Sequence, residues 1–485
     1  MPEHSLENPE TVEVLVEGSM APEMSPQLSA TAPLSRRGLG EGMSELRLRV
    51  EETYGRIMRA EFVEGVINLS TGDPLTPPPS GVRDAYFQLG ERLVFDDHMD
   101  PDSRGSYLQR ESERIELHRY RVFPIATRAL LTSAYKYFRA NGIPVSLGRA
   151  IDPRHQEILA GIGTTHLCVA ALYAICDPGD VVLTPKPCYG LFGALVGAMG
   201  AALCLVESNP DNDYKMGPAE LDEALRKNES ARCLLISNPG NPTGSVYSQE
   251  EYEALAEVLE RPENRHVWVL LDEVYDRTVF DPATSMVSFA ALPRMYQRTV
   301  TVSGVAKYPG LAKLRVGFAC GPRQAIWSMT NYIIATLGSV PEMDQEIATR
   351  ALASTSPSYF ANNNECYRRN LDLLLQRVKT IDERVRRHWG VDGTCVAVTN
   401  VPKAGFFVCV AFPGLAGRQA PDGRTIEDDF DLFDFLASES LVTGVPGSSH
   451  GFPANEMVLR FSFAVPASTL EDALDRIERA ILEIA

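Results

Sequence analysis

A chain of 485 residues, 44% of them hydrophobic, can bury a large core and by length alone suggests two or three structural units. Its 64 acidic and 46 basic residues leave a net charge of −18, which argues against nucleic acid or an anionic membrane surface as the main partner. No apolar run reaches the length of a membrane span, and MPEHSLENPE has neither the basic start nor the hydrophobic stretch of a signal peptide, so a cytoplasmic location is expected.

Residues 1–42 mix Pro, Ser, Glu, Gly and Met without periodicity and are expected to form a flexible acidic arm, in which Thr11 to Glu17 could still make a short strand. From Ser44 to about Phe62, Leu46, Val50, Tyr54 and Ile57 recur at helical spacing. GVINLSTGDP then reads as an apolar strand breaking into a turn. Gly72 there is either an ordinary turn residue or a place where a small molecule approaches the main chain. Residues 75–110 suggest a long loop with one short helix.

TRALLTSAYKYFRANG is a helix ended by Gly142, and after it strands and helices alternate at βαβ spacing. The strand runs QEILAGIG, VVLTPKP, AALCLVES, CLLISNPG, VWVLLDEVY and RTVTVSGVA are continuously apolar, which predicts a mostly parallel sheet covered by helices on both faces. After Pro341 long helices, the strand-like pieces CVAVTN, AGFFVCVAF and MVLRFSFA, and a terminal helix predict a smaller α+β unit that also takes in N-terminal residues. The expected divisions are 1–42, 43–124, 125–345 and 346–485. The nine cysteines never form a C-x-x-C pair and read as reduced core residues, with no metal site.

Ligands of open parallel sheets bind beyond the carboxyl ends of the strands, and several chemistry-bearing residues stand there. Lys307 follows RTVTVSGVA, where apolar neighbours would strip water from its ammonium and free the amine for imine chemistry; a surface lysine capping a strand is the plainer alternative. Gly163, Thr164 and Thr165 open a helix where backbone N–H groups and hydroxyls suit a phosphate, though a Thr helix cap is equally common. Asn238 and Asn241 each precede a proline at or just past the end of CLLISNPG, the fourth of those strands, and turn chemistry alone does not require an Asn twice.

Asp272 follows five apolar residues and would be pushed up in pKa unless a cation partners it, a protonated ring nitrogen being one such cation; neighbouring backbone amides are the alternative. Tyr275 could hydrogen-bond a phenolic oxygen beside the lysine. Tyr189 offers a face for a flat heterocycle, although a core tyrosine is commoner. Arg315 offers a fork for phosphate, and Arg460, set between Leu459 and Phe461, needs an anion that a substrate carboxylate would supply.

Together these residues resemble the pyridoxal-phosphate enzymes of the class I/II aminotransferase group, fold type I, from about Gly65 to the C-terminus. The resemblance lies in order and spacing: Asn238-Pro239-Gly240-Asn241-Pro242-Thr243-Gly244, then Asp272-Glu273-Val274-Tyr275, Lys307 thirty-five residues after Asp272, Arg315 eight further on, and Arg460 near the end. It implies an α/β large domain with a seven-stranded sheet and a smaller α+β domain. It also implies pyridoxal 5'-phosphate held by Lys307, with Asp272 at the ring nitrogen, Asn241 and Tyr275 at the ring oxygen, and Tyr189 on the ring face. Gly163, Thr164, Thr165, Ser303 and Arg315 would hold the phosphate, and Arg460 the substrate carboxylate with the backbone of Gly72. Tyr120 would reach the phosphate of a second subunit, so a homodimer is implied. Gly304 stands where the family usually has a phosphate-binding serine, with Ser303 displaced by one.

Transamination of an α-amino acid is the reaction this implies first. The alternative is γ-elimination or γ-replacement on S-adenosylmethionine or a related amino acid, because Thr278-Val279-Phe280 after the Asp-Glu-Val-Tyr turn is similar to aminocyclopropane-carboxylate synthases. A regulator built on the same domain would need a basic DNA-binding module ahead of it, which an acidic arm does not provide.

Overall fold

Strands of Val, Leu and Ile without polar alternation need cover on both faces, and they form the centre of the molecule. The computed structural model describes residues 44–92, 126–148 and 153–484. The chain begins with α1 (Glu45–Glu61), β1 (Ile67–Asn68), α2 (Ser80–Arg92) and α3 (Arg128–Ala140). Alternation follows: β2 (Ile158–Gly161), α4 (Gly163–Ile175), β3 (Val181–Lys186), α5 (Phe192–Ala198), β4 (Ala202–Glu207), α6 (Pro218–Lys227), β5 (Ala231–Ser237), α7 (Gln249–Glu260) and β6 (Trp268–Asp272). Then come β7 (Thr299–Gly304), β8 (Gly317–Cys320), α8 (Arg323–Thr336), α9 (Glu342–Ser354) and α10 (Pro357–Trp389). The remainder is β9 (Ala397–Val398), β10 (Phe407–Ala411), α11 (Asp429–Phe435), β11 (Val442–Thr443), β12 (Val445–Pro446), β13 (Val458–Ser462) and α12 (Ala467–Leu482).

Seven strands pair in the order β2-β8-β7-β6-β5-β3-β4. Only β8 runs against its neighbours, so the sheet is mostly parallel as expected. One face is buried by Leu167 and Leu172 of α4 and Ile326 and Met329 of α8, the other by Leu221 of α6 and Tyr252 and Leu255 of α7. The expected strand RTVTVSGVA ends at Gly304, opposite Gly317 of β8, which leaves Lys307 on the loop beyond the last paired residue.

A second sheet, β12-β13-β10-β9, is covered by Leu371, Leu374 and Val378 of α10 and Leu470 and Ile477 of α12. GVINLSTGDP contributes only the two residues of β1, because its partner β11 offers only Val442 and Thr443 for parallel pairing. Ser44 caps α1 by accepting from the Arg47 amide at 3.3 Å, and Thr127 caps α3 through Leu130 at 3.2 Å. All nine cysteines are free thiols, with Cys204 and Cys366 half-buried and the rest buried. Among the described residues no helix is long and apolar enough to cross a membrane. Residues 1–42, including Thr11 to Glu17, and Tyr120 lie outside the described residues.

Candidate active site

The carboxyl ends of β5, β6 and β7 open into a cavity of about 600 Å³. Ser237 and Asp272 reach it from the strand ends, Lys307 and Arg315 from the loop between β7 and β8, Thr164 and Thr165 from the start of α4, and Arg460 from β13. Of the other residues that the sequence singles out, Tyr189, Asn241, Tyr275 and Gly72 also line it, and Gly163 and Ser303 do not.

Lys307 is largely buried, and its Nζ donates to the Gly72 carbonyl. Burial lowers its pKa to about 8, with Arg460 and Arg315 pushing the same way and Asp73 and Asp272 opposing. The Tyr275 ring centroid lies 5.8 Å from Nζ, and Tyr275 itself packs edge-on against Phe406 at 5.5 Å. A strand-capping surface lysine is therefore not what the fold makes of this residue.

Asp272 ends β6 with 7% of its surface exposed. Its carboxylate takes one long bond, from the Val274 amide at 3.3 Å, and burial pushes its pKa up to about 6 against that amide and the charge of Lys307. One marginal amide does not satisfy a carboxylate with four lone-pair sites, so the site favours either a proton or a cation at Asp272. Asp276, four residues on, is a different case. Its carboxylate accepts from Tyr137 and from Asn141 Nδ2 at 2.7 Å inside the fold.

At the other end, α4 begins after Ile162 with no side-chain cap, so the threonines are not helix caps and the first amides are left for another acceptor. Gly163 has φ +72°, and a Cβ there would lie 2.7 Å from Arg315 Nη2, so the guanidinium sits directly against the helix start. Arg315 Nη1 donates to the Ala312 carbonyl at 3.1 Å. Ser303 is not brought to this group, which corrects the expectation for it. Its hydroxyl, 1% exposed, donates to Tyr137 Oη at 3.3 Å and is directed into the protein interior. The next residue, Gly304, is the one whose Cα faces the Thr164 methyl, because successive strand residues point to opposite faces.

Arg460 is 6% exposed and makes no ion pair among the described residues. Nη1 donates to Asn241 Oδ1 at 3.0 Å, Nη2 to the Ser70 carbonyl at 2.8 Å, and the guanidinium carbon stands 4.0 Å over the Phe407 ring. Nε has no partner. The charge of this desolvated guanidinium thus meets only neutral acceptors, and an uncompensated buried charge is costly. The two Asn-Pro steps now separate by role: Asn238 is spent on the fold, accepting from the Tyr247 amide at 3.1 Å and donating to Val287, whereas Asn241 faces the cavity.

Several lining residues were not singled out in the sequence. Tyr54, Ile57 and Met58 of α1 form a wall, and Tyr54, at 51% exposure, reads in sequence only as one member of an apolar stripe. Phe407 is indistinguishable from its neighbours in AGFFVCVAF. His450, in the VPGSSHG turn, carries a signal that could have found it, being a lone imidazole in a turn between two apolar strands. The Thr278-Val279-Phe280 stretch, in contrast, is structural. The Thr278 hydroxyl bonds the Tyr275 carbonyl at 2.6 Å and the Gly405 amide at 3.0 Å, and Phe280 lies in the core.

The family model for aminotransferases of class I and II matches residues 64–477. An aspartate aminotransferase of Rhizobium meliloti is 28% identical over 365 residues, 73% of this chain and 84% of that protein. An aspartate/prephenate aminotransferase of Cereibacter sphaeroides is 28% identical over 363 residues, 73% of this chain and 85% of its own. The crystal structure of the Rhizobium meliloti aspartate aminotransferase superposes with a TM-score of 0.75 at 25% identity, covering 94% of this chain and all of that one.

Proposed function

The chain belongs to the class I and II aminotransferase family and is an aminotransferase, and from that premise we propose that it carries pyridoxal phosphate on Lys307 and takes the amino group from an α-amino acid. The observation behind this reading is the charge pattern of one cavity: a buried carboxylate short of a cation at Asp272, an uncapped helix start beside Arg315, and a buried guanidinium with a free Nε at Arg460. A cationic ring nitrogen, a phosphate and an α-carboxylate are the three charges that would satisfy them, so the residues fit the cofactor and its substrate.

When bound, pyridoxal phosphate supplies an aldehyde that takes up amines and a ring that draws electrons from the substrate Cα. Lys307 would anchor it and, as a neutral amine, would accept the substrate Cα proton at Nζ; burial keeps that amine neutral at lower pH than in water. Asp272 would hold the proton on the ring nitrogen, Asn241 and Tyr275 would bond the ring oxygen, and Tyr189 would cover the ring face. Gly163, Thr164, Thr165 and Arg315 would hold the phosphate. Arg460 would hold the α-carboxylate beside the Gly72 backbone, in a cavity that Tyr54, Ile57 and Met58 of α1 also line. A homodimer in the cytoplasm is part of the same reading, and sedimentation of the purified protein checks the first half of it.

Borohydride reduction of the protein loaded with pyridoxal phosphate is expected to fix the cofactor on the peptide carrying Lys307. An amino acid is then expected to convert the cofactor to its amine form, with aspartate, for which the bacterial relatives are named, offered first. Release of methylthioadenosine from S-adenosylmethionine would instead favour elimination, and a label on any other lysine overturns the assignment. Arg460→Met is expected to raise KM for the amino acid about 10- to 100-fold with a smaller change in kcat, since charge-assisted bonds of about 1.5–3 kcal/mol are lost from substrate binding.

A further inference from the structure

We propose that His450 is the positioning residue that holds the Cys188-Tyr189 segment, and through it the Tyr189 ring, at the cofactor site; this rests on the reading of Tyr189 given above. The imidazole is 3% exposed, and its Nδ1 lies 2.9 Å from the Cys188 carbonyl. A carbonyl only accepts, so Nδ1 carries the proton and Nε2 is the bare nitrogen. In return the Cys188 amide donates to the His450 carbonyl at 2.9 Å. Residues 262 positions apart are thus joined in both directions.

The contact continues past the pair. A Cβ at Gly190 would lie 2.3 Å from the Ser449 carbonyl and 2.9 Å from Val50, so the segment lies flat on the turn at 449–450. That turn is fixed from two other sides. Ser448 donates its amide and hydroxyl to Asp429 at 2.6 and 3.0 Å, and the Ser449 hydroxyl meets that of Thr53 on α1 at 2.6 Å. Tyr189 itself has an edge-on contact with Phe192 at 5.5 Å, which fixes its ring on one side. The backbone clamp at Cys188 fixes where that ring starts.

Burial, with the Arg460 charge in support and the Cys188 carbonyl opposing, holds the imidazole pKa down to about 3, so the ring stays neutral and the tautomer does not change across ordinary pH. Nε2 has no partner. The contribution therefore resides in the Nδ1 donor. Asn offers an amide N–H in the same place and nothing at Nε2, whereas Phe keeps the ring and loses the donor.

The full-length protein, His450→Asn, His450→Phe and Tyr189→Ala are compared by the rate at which bound pyridoxal phosphate is lost and by amide exchange of residues 188–190 in the cofactor-free protein, with the thermal midpoint confirming that each folds. His450→Phe is expected to lose cofactor and exchange these amides about tenfold faster, as for one hydrogen bond at the stronger end of the usual range, and His450→Asn to stay within about twofold of wild type. Wild-type behaviour of His450→Phe overturns the inference, as does equal loss in both variants. If Tyr189→Ala keeps cofactor as wild type does, the stacking role fails and the clamp's purpose with it. If Tyr189→Ala loses cofactor and His450→Phe does not, the clamp alone is refuted.

Discussion

Lys307→Ala is expected to lower turnover by about 10³-fold or more even with saturating pyridoxal phosphate, because one substitution removes both the anchor and the base. Lys307→Arg is expected to fall as far. It keeps a cation in the same place, but a guanidinium does not give up its proton in this environment and offers no neutral amine. The comparison separates charge from nucleophilicity, which alanine alone does not. The lowered pKa adds a second measurement: capture of pyridoxal phosphate by the cofactor-free protein requires the neutral amine, so its rate is expected to rise through about pH 8 rather than near 10.5, the ordinary lysine value. Turnover of Lys307→Ala within tenfold of wild type would overturn the assignment, and a capture rate still climbing above pH 10 would overturn the desolvation argument.

How far these residues could be read beforehand follows from how each reaches the cavity. Asp272, Lys307 and Arg460 stand at or just beyond the ends of apolar runs or within one, and a charge in such a place is visible in sequence because burial without a partner is costly. The mostly parallel sheet is legible because its strands are uninterrupted apolar runs, while its seven strands are what the family resemblance implies. Ser303 fails on phase. RTVTVSGVA announces a strand but not which of its two faces meets α4, and in the fold it is Gly304 that takes that face, a Cβ there lying 3.6 Å from the Thr164 methyl. Tyr54 arrives on a helix tied by Thr53 to Ser449, hundreds of positions away, and nothing local marks such an encounter; His450, joined to Cys188 as remotely, is visible in sequence only as a lone imidazole in a turn between two apolar strands. The Thr278-Val279-Phe280 stretch shows the converse. A local match drew attention to residues that the fold employs for turn bonding and core filling, so it says nothing about which reaction follows proton removal.

Asp272→Asn is expected to do two opposite things, and the combination is the sharper test. Turnover should fall by about 10²–10³-fold, the usual loss when a fixed charge that stabilises a developing one is removed. The cofactor-free protein should become more stable at neutral pH. With a folded pKa near 6 against 3.8 for the ordinary carboxyl, the native state binds more protons than the unfolded chain between those values, so this residue's contribution declines as pH rises from about 4 through 6. Above that window the cost levels off at about 3 kcal/mol, from a shift of about two pK units. Asparagine has no proton to lose and escapes it. Asp429, pushed up to about 6, and His450, held near 3, titrate across the same range, but they are common to both proteins and cancel in the difference. Unfolding by urea at pH 4 and pH 7.5 should therefore give a variant close to wild type in acid and more stable at neutrality. Adding pyridoxal phosphate should stabilise the wild type more than the variant, since a cationic ring nitrogen compensates the buried carboxylate and has nothing comparable to offer an amide. A variant less stable than wild type at pH 7.5 would mean that Asp272 is already satisfied by the protein, and the strongest reason to place a cation above it would be gone.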